Sequence, residues 1–289
     1  MSHRLRGAIW SLVATLGVLL CATAAAPVLA GGTFVVTSDQ PAFAQAAQAA
    51  ANALPGAKVL RADESARVAI ASADLVVVVG PLAERVVGPA MPANAWAVAV
   101  LTPRLSTLPA TRSLSVPVTA SAAEVLGLVR MVVPSTRRVA VFPASGSDAS
   151  AIAEAVRAAG LEPLLPKQGE PFATAVERLV QGADLVWIEE TSSVPGGGGA
   201  LVVKAAADAG KHVVGPNRAT VLQGALFAVV PDPTAHGRVA GELGVRLLAG
   251  DRPTNVTPPE GRVVLNAARA RALGVKLPQA VAARAEAVE

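Results

Sequence analysis

From Thr33 onward, short apolar, β-branched runs alternate with Ala-rich stretches whose apolar positions recur at helical spacing. Residues 33–36, 57–60, 74–79 and 96–101 read as strands. Residues 42–53, 64–72 and 82–87 read as the helices between them. The strands are continuous Val-rich runs with little polar alternation, which predicts burial on both faces and hence a parallel sheet covered by helices. Residues 104–117 break the rhythm with Pro109, Pro117 and several Ser and Thr, so irregular structure is expected there, followed by a helix over 121–132.

The alternation then resumes. Strands are expected over 139–142, 162–165, 184–188, 213–214 and 226–230, with helices over 149–158, 172–181, 200–209 and 237–249. Pro231-Asp232-Pro233 interrupts the pattern after the last of these strands. Gly250-Asp251-Arg252-Pro253 stops the last helix. Two α/β units joined in the middle predict a pair of doubly wound lobes.

The first 30 residues stand apart. Arg4 and Arg6 precede an almost unbroken apolar run over 8–26, and Val28-Leu29-Ala30 forms a small-residue exit. This is the pattern of a secretory leader cleaved near Ala30. The run is also about long enough to span a bilayer, since roughly 18–20 apolar residues suffice, but the small-residue exit favours cleavage. Cys21 is the only cysteine, and Leu20 before it disfavours lipidation there. A chain cleaved at Ala30 has no thiol, which excludes disulfides, cysteine–zinc sites and thiol nucleophiles. The expected location is periplasmic or secreted.

The formal charge is +4, with acids and bases interspersed and no Lys/Arg run, so nothing points to nucleic acid. The 289 residues leave room for two lobes after the leader is removed. Richness in Ala and Val with few aromatics is compositional bias and carries no functional signal.

The order of several segments resembles the ABC-transporter substrate-binding protein family, whose best-known members bind tryptophan or tyrosine. The segments are Ala73-Asp74-Leu75-Val76-Val77-Val78-Val79-Gly80, Trp96-Ala97-Val98-Ala99-Val100-Leu101-Thr102-Pro103, Val133-Pro134-Ser135-Thr136-Arg137-Arg138-Val139-Ala140-Val141-Phe142 and Gly182-Ala183-Asp184-Leu185-Val186-Trp187-Ile188. The closing run from Val263-Val264-Leu265-Asn266-Ala267 to Gly274-Val275-Lys276-Leu277-Pro278 belongs with them. The resemblance implies two α/β lobes, each a doubly wound parallel sheet, with a hinge and an interlobe cleft, as in periplasmic binding proteins. It divides the chain into residues 31–133 plus 234–289 for the first lobe and 134–233 for the second. It also implies a small-molecule ligand, a membrane permease and an ATPase as partners, and no cofactor. Departures include a first-lobe helical region over 42–72 shorter than the family's, and the architecture carries over better than the ligand site. Pro81 follows Gly80, Thr102 stands where the family usually has Asp, and so does Thr191.

In parallel sheets ligands sit beyond the carboxyl ends of the strands, where helix N-termini offer free N–H groups. The candidate ligand-binding residues are therefore Ser38 and Asp39, Gly80 and Pro81, Ser145, Gly146 and Ser147, Thr191 and Ser192, Asn217 and Arg218, and Asp232. Each has a plainer reading. Ser145, Ser147 or Asp148 caps the following helix, as Ser and Asp often do. Arg218 makes a salt bridge at the surface or between lobes, and Asp232 positions the hinge. Gly196-Gly197-Gly198-Gly199 is either an anion-binding turn or a flexible surface loop, and it lacks the Lys-Ser/Thr ending of a nucleotide-binding loop.

Catalysis has little material. His212 and His236 are isolated, no GxSxG or HExxH pattern occurs, and adjacent Glu189 and Glu190 on a strand point to opposite faces. No metal-ligand spacing is present. The expectation is a non-enzymatic binder. A scaffold that kept the fold without a ligand and an α/β enzyme are the alternatives. With Trp96 and Trp187 the only tryptophans beyond the leader and no tyrosine, an aromatic sandwich around an indole or phenol is hard to assemble.

Overall fold

Val-rich strands form two separate sheets in the computed structural model, which describes residues 31–102, 107–109, 111–144, 147–189 and 198–289. The first sheet is built in chain order from β1 (Gly32–Thr37), α1 (Pro41–Ala53), β2 (Lys58–Arg61), α2 (Glu64–Ala69), β3 (Ala73–Val79), α3 (Gly80–Val87), β4 (Trp96–Val100) and β5 (Ser113–Ser115). Its strands are all parallel, in the order β2-β1-β3-β4-β5. Successive residues face opposite sides. Val35, Val77 and Val98 pack under α1, while Phe34, Val76 and Ala97 pack under α2 and α3.

The second sheet follows α4 (Ala122–Val132). It contains β6 (Arg138–Phe142), α5 (Ala149–Ala158), β7 (Glu162–Leu164), α6 (Phe172–Gly182), β8 (Leu185–Ile188), α7 (Gly198–Asp208), β9 (His212–Gly215), α8 (Arg218–Leu222) and β10 (Phe227–Val230). The chain then crosses to α9 (Pro233–Leu248) and returns through β11 (Arg262–Asn266), α10 (Ala267–Ala272), α11 (Gln279–Ala282) and β12 (Ala285–Val288). The strand order is β12-β11-β10-β9-β8-β6-β7, parallel except where β11 meets β10. Two mostly parallel, helix-covered sheets give the two-lobed α/β architecture of periplasmic binding proteins. Among the described residues no helix is long and apolar enough to cross a membrane.

Three expectations are corrected. Residues 113–115, expected as irregular, add strand β5 to the first sheet through pairing with β4. The helix α4, placed in the first lobe by the division at residue 133, buries Val125, Leu126, Leu128, Val129 and Val132 against Val139 and Val141 of the second sheet. Residues 262–288, expected with the first lobe, pair with β10 and extend the second sheet, since the edge of β10 supplies the backbone partners β11 needs. Of the tail assigned to the first lobe, α9 does pack there, with Ala240, Leu243 and Leu247 in the core beside α1.

The contact between α1 and α9 is close because small residues face one another. Gly237, Gly241 and Gly244 of α9 lie against Ala46, Ala50 and Leu54 in that order, so the two helices run in the same direction. Both therefore begin at the carboxyl edge of the first sheet.

That direction defines the hinge. A first crossover, residues 116–121, leaves the carboxyl end of β5 for α4. A second, residues 231–232, leaves the carboxyl end of β10 for the start of α9. A third, residues 249–261, returns to β11, whose Arg262 pairs with Val230 at that same end of β10. Side chains tie the three together. The His236 ring contacts the Pro117 carbonyl oxygen at 3.1 Å, and the Gly261 N–H donates to Glu124 Oε1 at 3.0 Å. The lobes are thus joined at their carboxyl edges, and the strand-end loops of one face those of the other.

Candidate functional site

Strand register aligns the carboxyl edge of the first lobe. Thr37 pairs with Val79, and Val79 with Val100, so the next residues, Ser38, Gly80 and Leu101, form one row above the sheet. Ser38 is only 7% exposed, and among the described residues its Oγ has no hydrogen-bond partner. Thr33 Oγ1 and Thr136 Oγ1 are buried and unpaired as well, and Ser38 differs from them in standing at the carboxyl end of a strand. Asp39 turns aside to an exposed ion pair with Arg61 at 2.6 Å.

Gly80 has φ of +84°, a backbone conformation that strains residues carrying a Cβ, and a Cβ there would stand 3.0 Å from the Phe43 ring. Phe43, half-buried on α1, therefore lies over the start of α3. Pro81 is exposed in the first turn of α3, where its fixed φ suits the helix. Leu101 also holds a left-handed backbone, with φ of +52°, at the end of β4. Such a conformation is uncommon for a residue other than glycine and costs roughly 1–2 kcal/mol. Thr102, in the position where the resemblance expects Asp, is buried and donates to the Val100 carbonyl oxygen at 3.2 Å.

The second lobe's edge is organised mainly by caps. Asp148 accepts from the N–H groups of Ser150 and Ala151 at 2.8 and 3.2 Å and so caps α5. Ser147, half-buried, donates its N–H to the Ala144 carbonyl oxygen. Glu189, at the end of β8, accepts the Ala144 N–H at 2.7 Å and holds the loop after β6 against it. Asn217 caps α8 by accepting from Thr220 N–H and Oγ1, both at 3.0 Å. Arg218 pairs with Glu286 on β12, and this hydrogen bond and charge hold the Glu286 carboxyl below its ordinary value. Asp232 accepts from Thr234 and Ala235 N–H groups at 2.9 and 3.2 Å, capping α9 at the second crossover. Ser145, Gly146, Thr191 and Ser192 lie outside the described residues, as do Glu190, Gly196 and Gly197.

Sequence reasoning missed Phe43, Leu101 and the structural duty of Glu189. Phe43 had a signal, being the one aromatic residue in a helix of Ala, Gln and Asn directly after a strand end. Leu101 had none, because a left-handed backbone at a leucine leaves no compositional trace.

Residues 115–289 match the family model described as ABC transporter substrate binding protein. The chain belongs to that family. Solved structures agree on the fold. A domain in complex with L-Trp from Streptococcus pneumoniae shares 20% identity and a TM-score of 0.51, covering 90% of this chain and all of the other. The ligand-free, open structure of a substrate binding protein with adhesive properties from Clostridium difficile has 16% identity and a TM-score of 0.59, covering 89% of this chain and 98% of the other. A conserved domain protein from Vibrio cholerae shares 17% identity with a TM-score of 0.50, covering 90% and 100%. No curated protein matches the chain in sequence.

In this substrate-binding family member neither tryptophan among the described residues is free at the carboxyl edges. Trp96 begins β4, at the opposite end of the sheet, with the Arg252 and Arg112 guanidiniums 4.8 and 5.5 Å from its ring centre. Trp187 is buried in the core of the second lobe. The two histidines among the described residues serve the framework. His236 sits in the hinge, and His212 begins β9, half-buried, where desolvation and then Arg269 lower its pKa. Among the described residues no cluster of His, Cys, Asp and Glu is placed to hold a metal ion.

Proposed function

We propose that the protein is the exported solute-binding component of an ABC importer, taking a small amino-acid-like or other small polar ligand between its lobes. The observation that supports this reading is the joining of both sheets at their carboxyl edges, the edges that carry Ser38, Gly80 and the start of α3 in one lobe and Ser147 and the start of α5 in the other. The Ser38 hydroxyl is a hydrogen-bond donor with no partner among the described residues, and it stands at this edge. Ser145, Gly146, Thr191 and Ser192 complete the proposed second-lobe face. A ligand touching both edges stabilises the closed arrangement over the open one and shifts the population accordingly. A permease and an ATPase are the partners this role requires. Export follows from the leader, with Gly31 as the first residue of the processed chain.

Thermal-shift screening of amino acids, short peptides and sugars tests binding, because a ligand that binds the native state raises apparent stability by mass action. Ser38→Ala then separates ligand contact from folding. It should leave the free protein as stable or more so, since a buried unpaired hydroxyl costs about 1–3 kcal/mol, while weakening the identified ligand about tenfold. Bulky residues at Ser147 and Thr191 together should abolish binding with the fold intact. A screen in which no solute stabilises the protein would favour a scaffold role. Intact mass of the secreted protein checks export, and a diacylated Cys21 or a retained leader would refute it.

A further inference from the structure

We propose that Asp74 receives the α-ammonium that leader cleavage creates at Gly31, so that processing itself adds to the stability of the first lobe. The proposal rests on the export reading, in which Gly31 is the first residue of the processed chain.

The amino end of the first sheet carries it. The Gly31 N–H donates to Asp74 Oδ2 at 2.9 Å, from the start of β1 to the start of β3. The pairing of these strands slips by one residue at this place. Gly32 lies opposite Ala73 and Thr33 opposite Leu75, which leaves Asp74 without a counterpart on β1. A bulge of this kind bends the strand and re-aims the side chain of the extra residue. The approach is close. A Cβ built on Gly31 would stand 2.6 Å from Asp74 Oδ1 and 2.6 Å from the Ser72 carbonyl oxygen, so two acceptors crowd this one residue.

In the unprocessed chain the Gly31 nitrogen is a peptide amide with one N–H and no formal charge. Hydrolysis of the Ala30–Gly31 bond places the oxygen of water on the Ala30 carbonyl carbon, which leaves as a carboxylate. Both protons of that water go to the Gly31 nitrogen, which becomes an ammonium with three N–H groups. Its hydrogen bond to Asp74 is then an ion pair, and the Ser72 carbonyl oxygen beside it is a further acceptor. Asp74 is half-buried, so solvent and salt screen the pair less than they would a surface one.

No side chain already fills this role. Among the described residues the Gly31 N–H is the only hydrogen-bond or ion-pair partner of the Asp74 side chain. Neighbouring charges are engaged elsewhere. Arg112 and Arg252 lie over Trp96 at the start of β4, Arg246 pairs with Asp251 at the end of α9, and Glu64 pairs with Arg67 on α2. Lys58 on β2 stands opposite Phe34, further along β1. Neither β1, β4 nor residues 70–72 carry an ionisable side chain.

The test compares two forms of the processed protein, one beginning at Gly31 and one beginning at Ala30, in which Gly31 keeps its amide N–H. At pH 7 the Gly31 form should melt about 2–4 °C higher. An amine that gains an acidic partner on folding has its folded pKa raised. Its contribution is present below the unfolded pKa, about 8 for an α-ammonium, and is lost as pH rises through the folded one. The gap between the two forms should accordingly be open at pH 7 and closed by about pH 10. Asp74→Asn, which keeps an acceptor and removes the charge, should abolish the gap at pH 7. Equal melting temperatures throughout, or a gap that survives in Asp74→Asn, would overturn the proposal. If that variant fails to fold, the unsubstituted pair of chains decides: closure by about pH 10 supports the ion pair and a gap independent of pH ends it. Intact mass of the exported protein separates the two readings. A Gly31 terminus without a melting gap ends this proposal and leaves export standing, whereas a retained leader ends both.

Discussion

A Cβ built on Gly237 would stand 2.0 Å from the carbonyl oxygen of Ala46, because α9 rests directly on the backbone of α1. A backbone oxygen cannot rotate away as a side chain can. Gly237→Ala should therefore force the helices apart and cost about 1–3 kcal/mol, the usual range for overpacking. Gly127 is the contrasting case, exposed within α4 with nothing near its missing Cβ. Gly127→Ala should stabilise by about 0.5–1 kcal/mol through helix propensity. Urea unfolding of the two variants checks the opposite signs.

Acid stability should depend on Glu170. The Arg178 guanidinium hydrogen bonds to its carboxylate at 2.7 and 2.6 Å, and with the Lys167 N–H holds the carboxyl down to about 2 from an ordinary 4.5. A carboxyl whose folded pKa is depressed contributes stability above the unfolded pKa and loses it as pH falls through the folded one. Glu170→Gln should thus lower the melting temperature at neutral pH. The gap to wild type should close between about pH 4.5 and pH 2, as melting curves across that window would reveal.

Asn217 and Arg218 are neighbours with unequal duties. Asn217 satisfies an otherwise orphaned helix donor, so Asn217→Ala should cost about 1 kcal/mol. Arg218 and Glu286 are half exposed and salt-screened. Arg218→Ala should therefore cost less than the cap, and adding salt should shrink its effect but not that of Asn217→Ala.

Tryptophan and tyrosine should bind weakly or not at all. Trp96 is engaged by two arginines and Trp187 is sealed in a core, which leaves half-buried Phe43 as the aromatic beside Gly80. Phe142, at the end of β6, is buried in an edge-on contact with Phe172, so no stacked pair of free rings is left to sandwich an indole. Calorimetry showing sub-micromolar affinity for either amino acid would contradict this.

The fold was legible where local pattern and tertiary role agree. Val76-Val77-Val78-Val79 announces a strand buried on both faces whatever surrounds it, and Ala149–Ala158 announces a helix. Ser113-Leu114-Ser115 did not read as a strand, because three residues among prolines become one only when β4 offers its edge. The lobe membership of β11 was equally illegible, since pairing of Val230 with Arg262 is a long-range choice that no local pattern encodes. In the candidate site, Ser38 and Gly80 could be placed from strand ends alone. That Arg218 would turn to Glu286, far along the chain, required the finished sheet.

The return of the chain into α9 also governs how the protein can be made. All five strands of the first sheet and α1 leave the ribosome early, yet the face of α1 lined by Ala46 and Ala50 has no cover until α9 is synthesised, after nearly all of the second lobe. The second lobe in turn waits for β11 and β12. Neither lobe is an uninterrupted piece of chain, so the first is complete only once α9 has been made and the second only once β12 has. Long-range closures of this kind slow folding and leave apolar surface open meanwhile. The apolar α1 face accordingly stands open while most of the second lobe is made, a window in which the chain is prone to aggregate.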